Sequence, residues 1–295
     1  GNRNDVEVTL IDRRNHHLFQ PLLYQVAMAG LSPADIATPI RTVLSPYKNS
    51  EVVLANVDGV DLKLKKVHTD VGDYSYDYLV LACGAQHSYF GHNEWEDFAP
   101  GLKTLEQATE IRRRVLLAFE RAETEIDPEI QKKLLTFIVI GGGPTGVELA
   151  GALGEISRYT LGKDFHHADP RRTRIILIEA GPRILASFSE VLARKAVRDL
   201  ENLGVQVWTS SRVTSVNESG VGVGNENISA ATVLWAAGVQ PSSLNKLMGT
   251  ALDPSGRVIV GKDLSIENFS EVFVIGDQAH AEDKMKKALP GLAPV

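Results

Sequence analysis

Cysteine is nearly missing from this sequence: there is one, Cys83, in 295 residues. A single thiol closes no intrachain disulfide, which excludes a disulfide-stapled secreted scaffold and any chemistry that runs on an internal dithiol. No stretch approaches the roughly 18 apolar residues of a membrane span. The polar start Gly1-Asn2-Arg3-Asn4-Asp5 has no apolar signal-peptide core. Basic residues are not in excess, with 31 Lys and Arg against 37 Asp and Glu for a net charge of −6. A nucleic-acid binder would need a basic face, so nucleic acid is not expected as a partner. The histidine pairs His16-His17 and His166-His167 are adjacent in sequence and cannot face one metal ion from a helix or strand, and no metal site is expected. Repeats of solenoid period and low-complexity segments are also missing. The remaining balance, 43% hydrophobic and 23% charged, is that of a globular chain with a sizeable core, long enough for one large domain or two ordinary ones.

Glycine is present in quantity, 25 residues, several of them in telling places. Strand-like and helical segments alternate, which predicts an α/β architecture with parallel sheet. The strongest motif is Gly141-Gly142-Gly143-Pro144-Thr145-Gly146, a G-x-G-x-x-G between the apolar run Thr136–Ile140 and a helix read as Val147–Leu161. In that setting Gly141 permits a tight turn, Gly143 lets the backbone approach a pyrophosphate, and Gly146 lets helix and strand pack closely. Phosphates would rest on the free N–H groups at the helix start, where the dipole favours negative charge. The plainer alternative is a glycine-rich turn kept for packing.

The next strand, Arg174–Glu179, ends in an acid. A carboxylate there accepts hydrogen bonds from ribose 2′- and 3′-hydroxyls and repels a 2′-phosphate, which predicts NADH in preference to NADPH. Glu179 lies 33 residues beyond Gly146 rather than about 20, an excess that fits a polar insert over Gly162–Arg172. Arg183, close by, weakens the discrimination, because an arginine can accommodate a phosphate. Other strand ends follow the same logic. Leu81-Ala82-Cys83-Gly84 and Leu234-Trp235-Ala236-Ala237-Gly238 end in small residues that let the chain pass close to a cofactor. Val272–Ile275 runs into Gly276-Asp277, whose carboxylate suits a ribityl hydroxyl. Val6–Ile11 leads into Asp12, either a ribose-holding acid at the end of a second strand or a turn residue after an edge strand. A first βα unit would then precede residue 1, and the sequence reads as an incomplete copy of a longer protein, stopping in a loop at Leu289–Val295.

Several local readings accompany these motifs. Thr104 with Gln107 predicts a capping box for the helix that follows, and Ser187 with Glu190 predicts the cap of a helix running to Leu203. Arg112-Arg113-Arg114 reads as a solvated helix face, and Asp58-Gly59 as a bend between two strands. Lys284, Lys286 and Lys287 read as a solvated loop, or as a contact with anionic lipid where a membrane is near.

The segments Val8–Arg14, His17–Ala27, Ser88–His92, Gly141–Gly151 and Val272–Asp277 together resemble the type II NADH dehydrogenases, the single-subunit NADH:quinone oxidoreductases among flavoproteins with two dinucleotide-binding domains. The resemblance covers essentially the whole chain. It implies an α/β fold of two Rossmann-like domains, an NADH domain at 104–259 inserted in an FAD domain at 1–103 and 260–295 that lacks its first βα unit. It implies FAD at Asp12, Arg13, Pro21, Ala82, Cys83, Gly84 and Asp277, and NADH at Gly141, Gly143, Pro144, Thr145, Gly146, Glu179, Ala237 and Gly238. Glu148 matches a family glutamate near the nicotinamide and quinone sites and is the expected catalytic residue. The plain alternative for Glu148 is a helix-start carboxylate favoured by the dipole.

The implied activity is hydride transfer from NADH to flavin and then two electrons to a quinone, without proton pumping. The implied partners are the quinone, the membrane surface through a C-terminal region beyond Val295, and a second copy of the chain, with the protein peripheral on the cytoplasmic face of the inner membrane. A flavin-dependent ferredoxin- or rubredoxin-type reductase and a non-catalytic NADH-binding redox sensor are the alternatives. The sequence departs from the family pattern in lacking the N-terminal G-x-G-x-x-G, the glutamines expected after Ala293-Pro294-Val295 and the C-terminal amphipathic helices, and in Cys83, read as a buried small residue with a reactive thiol as the alternative, where threonine is common.

Overall fold

The computed structural model describes Arg3 and Asp5–Glu282; the lysines at 284, 286 and 287 and the segment Leu289–Val295 lie outside the described residues. The chain is α/β and divides into two compact units. The first takes the chain up to Leu18, Ala37–Gln86 and the part from Val239 onward, and the second takes Phe19–Ile36 and His87–Gly238. The block expected at 104–259 shares 104–238 with the second unit.

In the first unit, Val8–Asp12 (β1) pairs in parallel with Ser50–Leu54 (β2), with Val8 opposite Ser50 and Asp12 opposite Leu54. Val8 and Leu10 are exposed, so this apolar strand is less covered than its composition suits. Asp58-Gly59 is not a bend between strands. It lies inside the strand Val57–Asp61, where a shift of register between Val57 and Gly59 absorbs the glycine as an irregularity of the ladder. Leu79–Leu81 (β3) then leads to Ala82-Cys83-Gly84.

The second unit is built on a four-stranded parallel sheet. Leu105–Thr124 (α1) starts on Thr104, whose side chain accepts from Gln107 N–H. Only half of the expected box forms, because the Gln107 side chain takes the Lys103 N–H instead. Ala108, Ile111, Val115, Ala118, Phe119 and Ala122 are buried at three- and four-residue steps, the stripe predicted from the sequence. The arginine triplet is not a uniformly solvated face. Arg113 is exposed, but Arg114 reaches the carbonyls of Asp97 and Phe98 and Arg112 that of Leu31. Arg113 and Arg114 also hold the Glu110 carboxyl down to about 2.

Thr136–Ile140 (β4) is buried at every residue, as a continuous apolar run should be when both faces are covered. It is followed by Pro144–Glu155 (α2), Arg174–Ile178 (β5), Glu190–Asn202 (α3), Val205–Trp208 (β6) and Thr232–Trp235 (β7). The strands lie in the order β6-β5-β4-β7, all parallel. Side chains alternate across the sheet. Ile138, Ile140, Ile176, Ile178 and Trp235 pack with Val216, Val221 and Ile228 of an antiparallel meander. On the other face Phe137 stacks on Phe119 of α1 at 5.3 Å between centroids. Each such side chain, fully buried, contributes about 1.5–3 kcal/mol.

The helix after the glycine motif starts and stops earlier than the sequence suggests: α2 ends at Glu155 and continues as one π-helical turn, Ile156–Thr160. The cap of α3 is Ser189, which accepts from Leu192 N–H, and not Ser187. The polar insert before β5 is tied down by one acid. Glu123 accepts the N–H groups of His166, His167 and Ala168 and also contacts His167 Nδ1 at 3.0 Å, and these bonds, the one from Ala168 foremost, hold its carboxyl down to about 2.

The chain then returns to the first unit with Phe269–Val274 (β8), which pairs in parallel with β3 so that Val274 lies opposite Leu81. Among the described residues, no helix is long and apolar enough to cross a membrane.

Candidate functional site

In the second unit the candidate site lies at the carboxyl ends of β4, β5 and β7, where open α/β sheets bind ligands. The turn after β4 is held from both sides. Gly141 N–H donates to Ile178 O, and Ala236 N–H donates to Ile140 O at 2.7 Å. Gly141 sits at φ +109°, and a Cβ on it would come within 2.6 Å of the Ala236-Ala237 backbone. A Cβ on Gly146 would collide with the Gly141 carbonyl oxygen, so glycine is required there for α2 to close on the turn. Gly143 differs: nothing lies within 4 Å of where its Cβ would be, and its φ of −74° suits any residue. Packing therefore explains Gly141 and Gly146 but leaves Gly143 without a structural reason. Gly143 is also the N-cap of α2 and offers no side chain to the helix's first N–H groups, with Pro144 in the first turn and Thr145 and Gly146 behind it. An anion approaching the backbone accounts for all three features.

Glu179, just past the end of β5, accepts Gly142 N–H on Oε2 at 2.7 Å and Gly181 N–H on Oε1 at 2.6 Å. A carboxylate has about four lone-pair sites, so each oxygen keeps one for a ribose hydroxyl. Arg183 is not poised for a 2′-phosphate: its guanidinium donates to the carbonyls of Leu185, Ala186 and Phe188. Ala237 and Gly238 follow β7, with Gly238 at φ +75°. Glu148, in the first turns of α2, is exposed, and partial desolvation raises its pKa with no charged group among the causes.

In the first unit, the pairing of β3 with β8 brings Ala82-Cys83-Gly84 beside Gly276-Asp277, fastened by Ile275 N–H to Leu81 O at 3.0 Å. Asp12 and Arg13 lie close enough to act on the Cys83 thiol. Partial desolvation is the first cause of that thiol's raised pKa; the Ala82 backbone opposes it, Asp12 adds to it and Arg13 opposes it. Asp12 Oδ1 accepts Arg14 N–H and shapes the turn after β1. Gly84 and Gly276 both have positive φ and open space where a side chain would go. Three stretches of chain expected to hold FAD thus converge, at Asp12-Arg13, Ala82–Gly84 and Asp277, while Pro21 belongs to the second unit. Cys83 is exposed rather than buried, because β3 ends at Leu81 and the cysteine lies beyond the ladder. Its raised pKa keeps it a thiol and not a reactive thiolate.

Two residues at these sites have no sequence signature that would have singled them out. Gln278 is fully buried, its Oε1 accepts Cys83 N–H, and Asn245 Nδ2 donates to its backbone carbonyl. Phe90 is 68% exposed yet held at φ +53°, beside Gly238. The Ser88–His92 segment marked this loop but not its conformation. Among the described residues, no cluster of histidine, cysteine and acids could hold a metal.

The fold is that of an α/β chain in two compact units, each with a candidate site at its strand ends. The sequence profile of the pyridine nucleotide-disulphide oxidoreductase family matches residues 1–294. The type II NADH:quinone oxidoreductase Ndh of Mycobacterium tuberculosis is 42% identical over 99% of this chain and 65% of its own length. The type II NADH:quinone oxidoreductase of Staphylococcus haemolyticus is 32% identical over 93% of this chain and 68% of its own. The structure of NDH2 from Plasmodium falciparum in complex with NADH has the same fold, with a TM-score of 0.83 at 24% identity over 93% of this chain and 60% of that one. The chain belongs to the type II NADH:quinone oxidoreductases, within the pyridine nucleotide-disulphide oxidoreductase family, and spans about two thirds of the length of the curated relatives it matches.

Proposed function

We propose that this chain carries the NADH and FAD sites of an NADH:quinone oxidoreductase that passes two electrons from NADH through flavin to a quinone without pumping protons. The observation that carries the reading is Gly143, an uncapped helix start with room for a phosphate that packing does not require, set beside the Glu179 carboxylate. NADH binds with its pyrophosphate on Gly143 and the first turn of α2, its adenosine ribose on Glu179, and its other half toward Ala237-Gly238. In the first unit Asp12, Arg13, Ala82, Cys83, Gly84 and Asp277 hold FAD, and the open space at Gly84 and Gly276 leaves room for it. FAD, when bound, supplies the redox chemistry, accepting hydride and yielding two electrons. The protein's part is to position NADH, and positioning of this kind is worth several orders of magnitude in rate.

Glu148 holds its proton more readily than an ordinary carboxyl group, as desolvation dictates, which suits proton delivery during quinone reduction. On this reading the protein meets its quinone as a peripheral protein at the cytoplasmic side of the inner membrane, with a second copy as partner. Short-chain quinones should support steady turnover. In stopped-flow measurements Glu148→Gln should leave flavin reduction within about twofold and slow quinone reduction about tenfold. An equal loss in both half-reactions would assign Glu148 a structural role.

A further inference from the structure

Phe90 combines three features that its loop does not explain. It is a large aromatic at φ +53°, a left-handed conformation that bulky residues avoid. Its ring is 68% exposed, although a hydrophobic ring gains by burial. It is also fixed in place: a Cβ on Gly238 would fall 2.5 Å from Phe90 Cζ, so glycine at 238 makes room for this ring. The loop is tied to the end of β7 by Ser88 N–H to Gly238 O at 3.2 Å and by Trp235 Nε1–H to Ser88 O at 3.0 Å. Trp235, buried beneath, meets the Phe90 ring at 6.2 Å between centroids and 58° between planes. Strained residues persist where surrounding structure over-determines them, and they cluster at ligand sites.

The sheet order says which part of a ligand reaches this ring. β5 and β7 flank β4 on opposite sides. With the adenosine ribose at Glu179 on the β5 side and the pyrophosphate at Gly143 after β4, the remaining half of a dinucleotide extends over the end of β7. That end is Ala236-Ala237-Gly238, where Phe90 stands.

We propose that Phe90 is a positioning residue for the nicotinamide half of the dinucleotide, its exposed face stacking on the nicotinamide ring. This rests on the dinucleotide reading above and adds a residue to it. An aromatic face suits a flat heteroaromatic ring at small entropic cost when it is already fixed in place. The left-handed backbone, held by the ties to Gly238 and Trp235, turns the ring outward.

The test compares NAD+ with ADP-ribose, which has the adenosine and pyrophosphate but no nicotinamide, by isothermal titration calorimetry on the purified protein. Phe90→Asn removes the ring while keeping a residue that tolerates the left-handed region. It should weaken NAD+ about tenfold, or about 1.4 kcal/mol, and leave ADP-ribose unchanged, and Phe90→Tyr should restore NAD+ affinity. Equal weakening of both ligands, or no change in either, overturns the stacking role. Failure of the wild-type protein to bind either ligand overturns the dinucleotide reading itself, and this proposal with it.

Discussion

Gly143→Ala should leave the protein's stability within about 1 kcal/mol of the original and weaken NADH binding about a hundredfold. The added methyl group enters open space at a φ that alanine adopts freely, so the fold has little reason to notice it. A pyrophosphate brought against the same backbone would meet that methyl directly. Gly146→Ala is the contrasting case. Its methyl group collides with the Gly141 carbonyl, and α2 must move away from the turn, at a cost of about 3 kcal/mol or more. Urea unfolding and NADH titration of the two variants separate a glycine kept for a ligand from one kept for packing. A Gly143→Ala protein that binds NADH normally would return the motif to a packing turn.

Glu179→Gln should lower the preference for NADH over NADPH by on the order of a hundredfold, measured as the ratio of kcat/KM values. Two effects add. Removing the charge ends the repulsion of a 2′-phosphate, and an amide has one acceptor oxygen where the carboxylate has two. Gly142 N–H and Gly181 N–H are held by separate carboxylate oxygens, so the amide oxygen serves one of them and the ribose loses an acceptor, and NADH weakens as NADPH gains. Arg183 is not expected to offset the change, since its guanidinium donates to the carbonyls of Leu185, Ala186 and Phe188. An unchanged preference would mean that Glu179 serves the glycine turn alone.

What the sequence revealed and what it hid divide along physical lines. β4 was legible because a parallel strand buried on both faces reads as a near-continuous apolar run, as residues 137–140 do. Gly141 and Gly146 were legible because each answers a steric demand local to the turn, and Gly143 only because its place in the G-x-G-x-x-G spacing marks it. The extent of α2 was not, since Ile156–Thr160 has ordinary helix-forming composition and the π-turn depends on its surroundings. The choice of Ser189 over Ser187 as a cap is a matter of where the backbone turns, which two nearby serines do not decide. Arg112 and Arg114 find carbonyl partners 81 and 16 residues away, contacts no local pattern encodes. The same holds for Glu123 and the insert it ties down, and for Phe90, whose strain exists only because Gly238 and Trp235 hold the loop. Cys83 was misjudged for a simpler reason: the strand stops two residues before it.

The most direct measurement is an anaerobic optical titration of the purified full-length protein. A flavin band at about 450 nm should bleach on addition of one equivalent of NADH and return when a short-chain quinone is added. A colourless protein, or a flavin band that NADH leaves unchanged, would contradict the assignment.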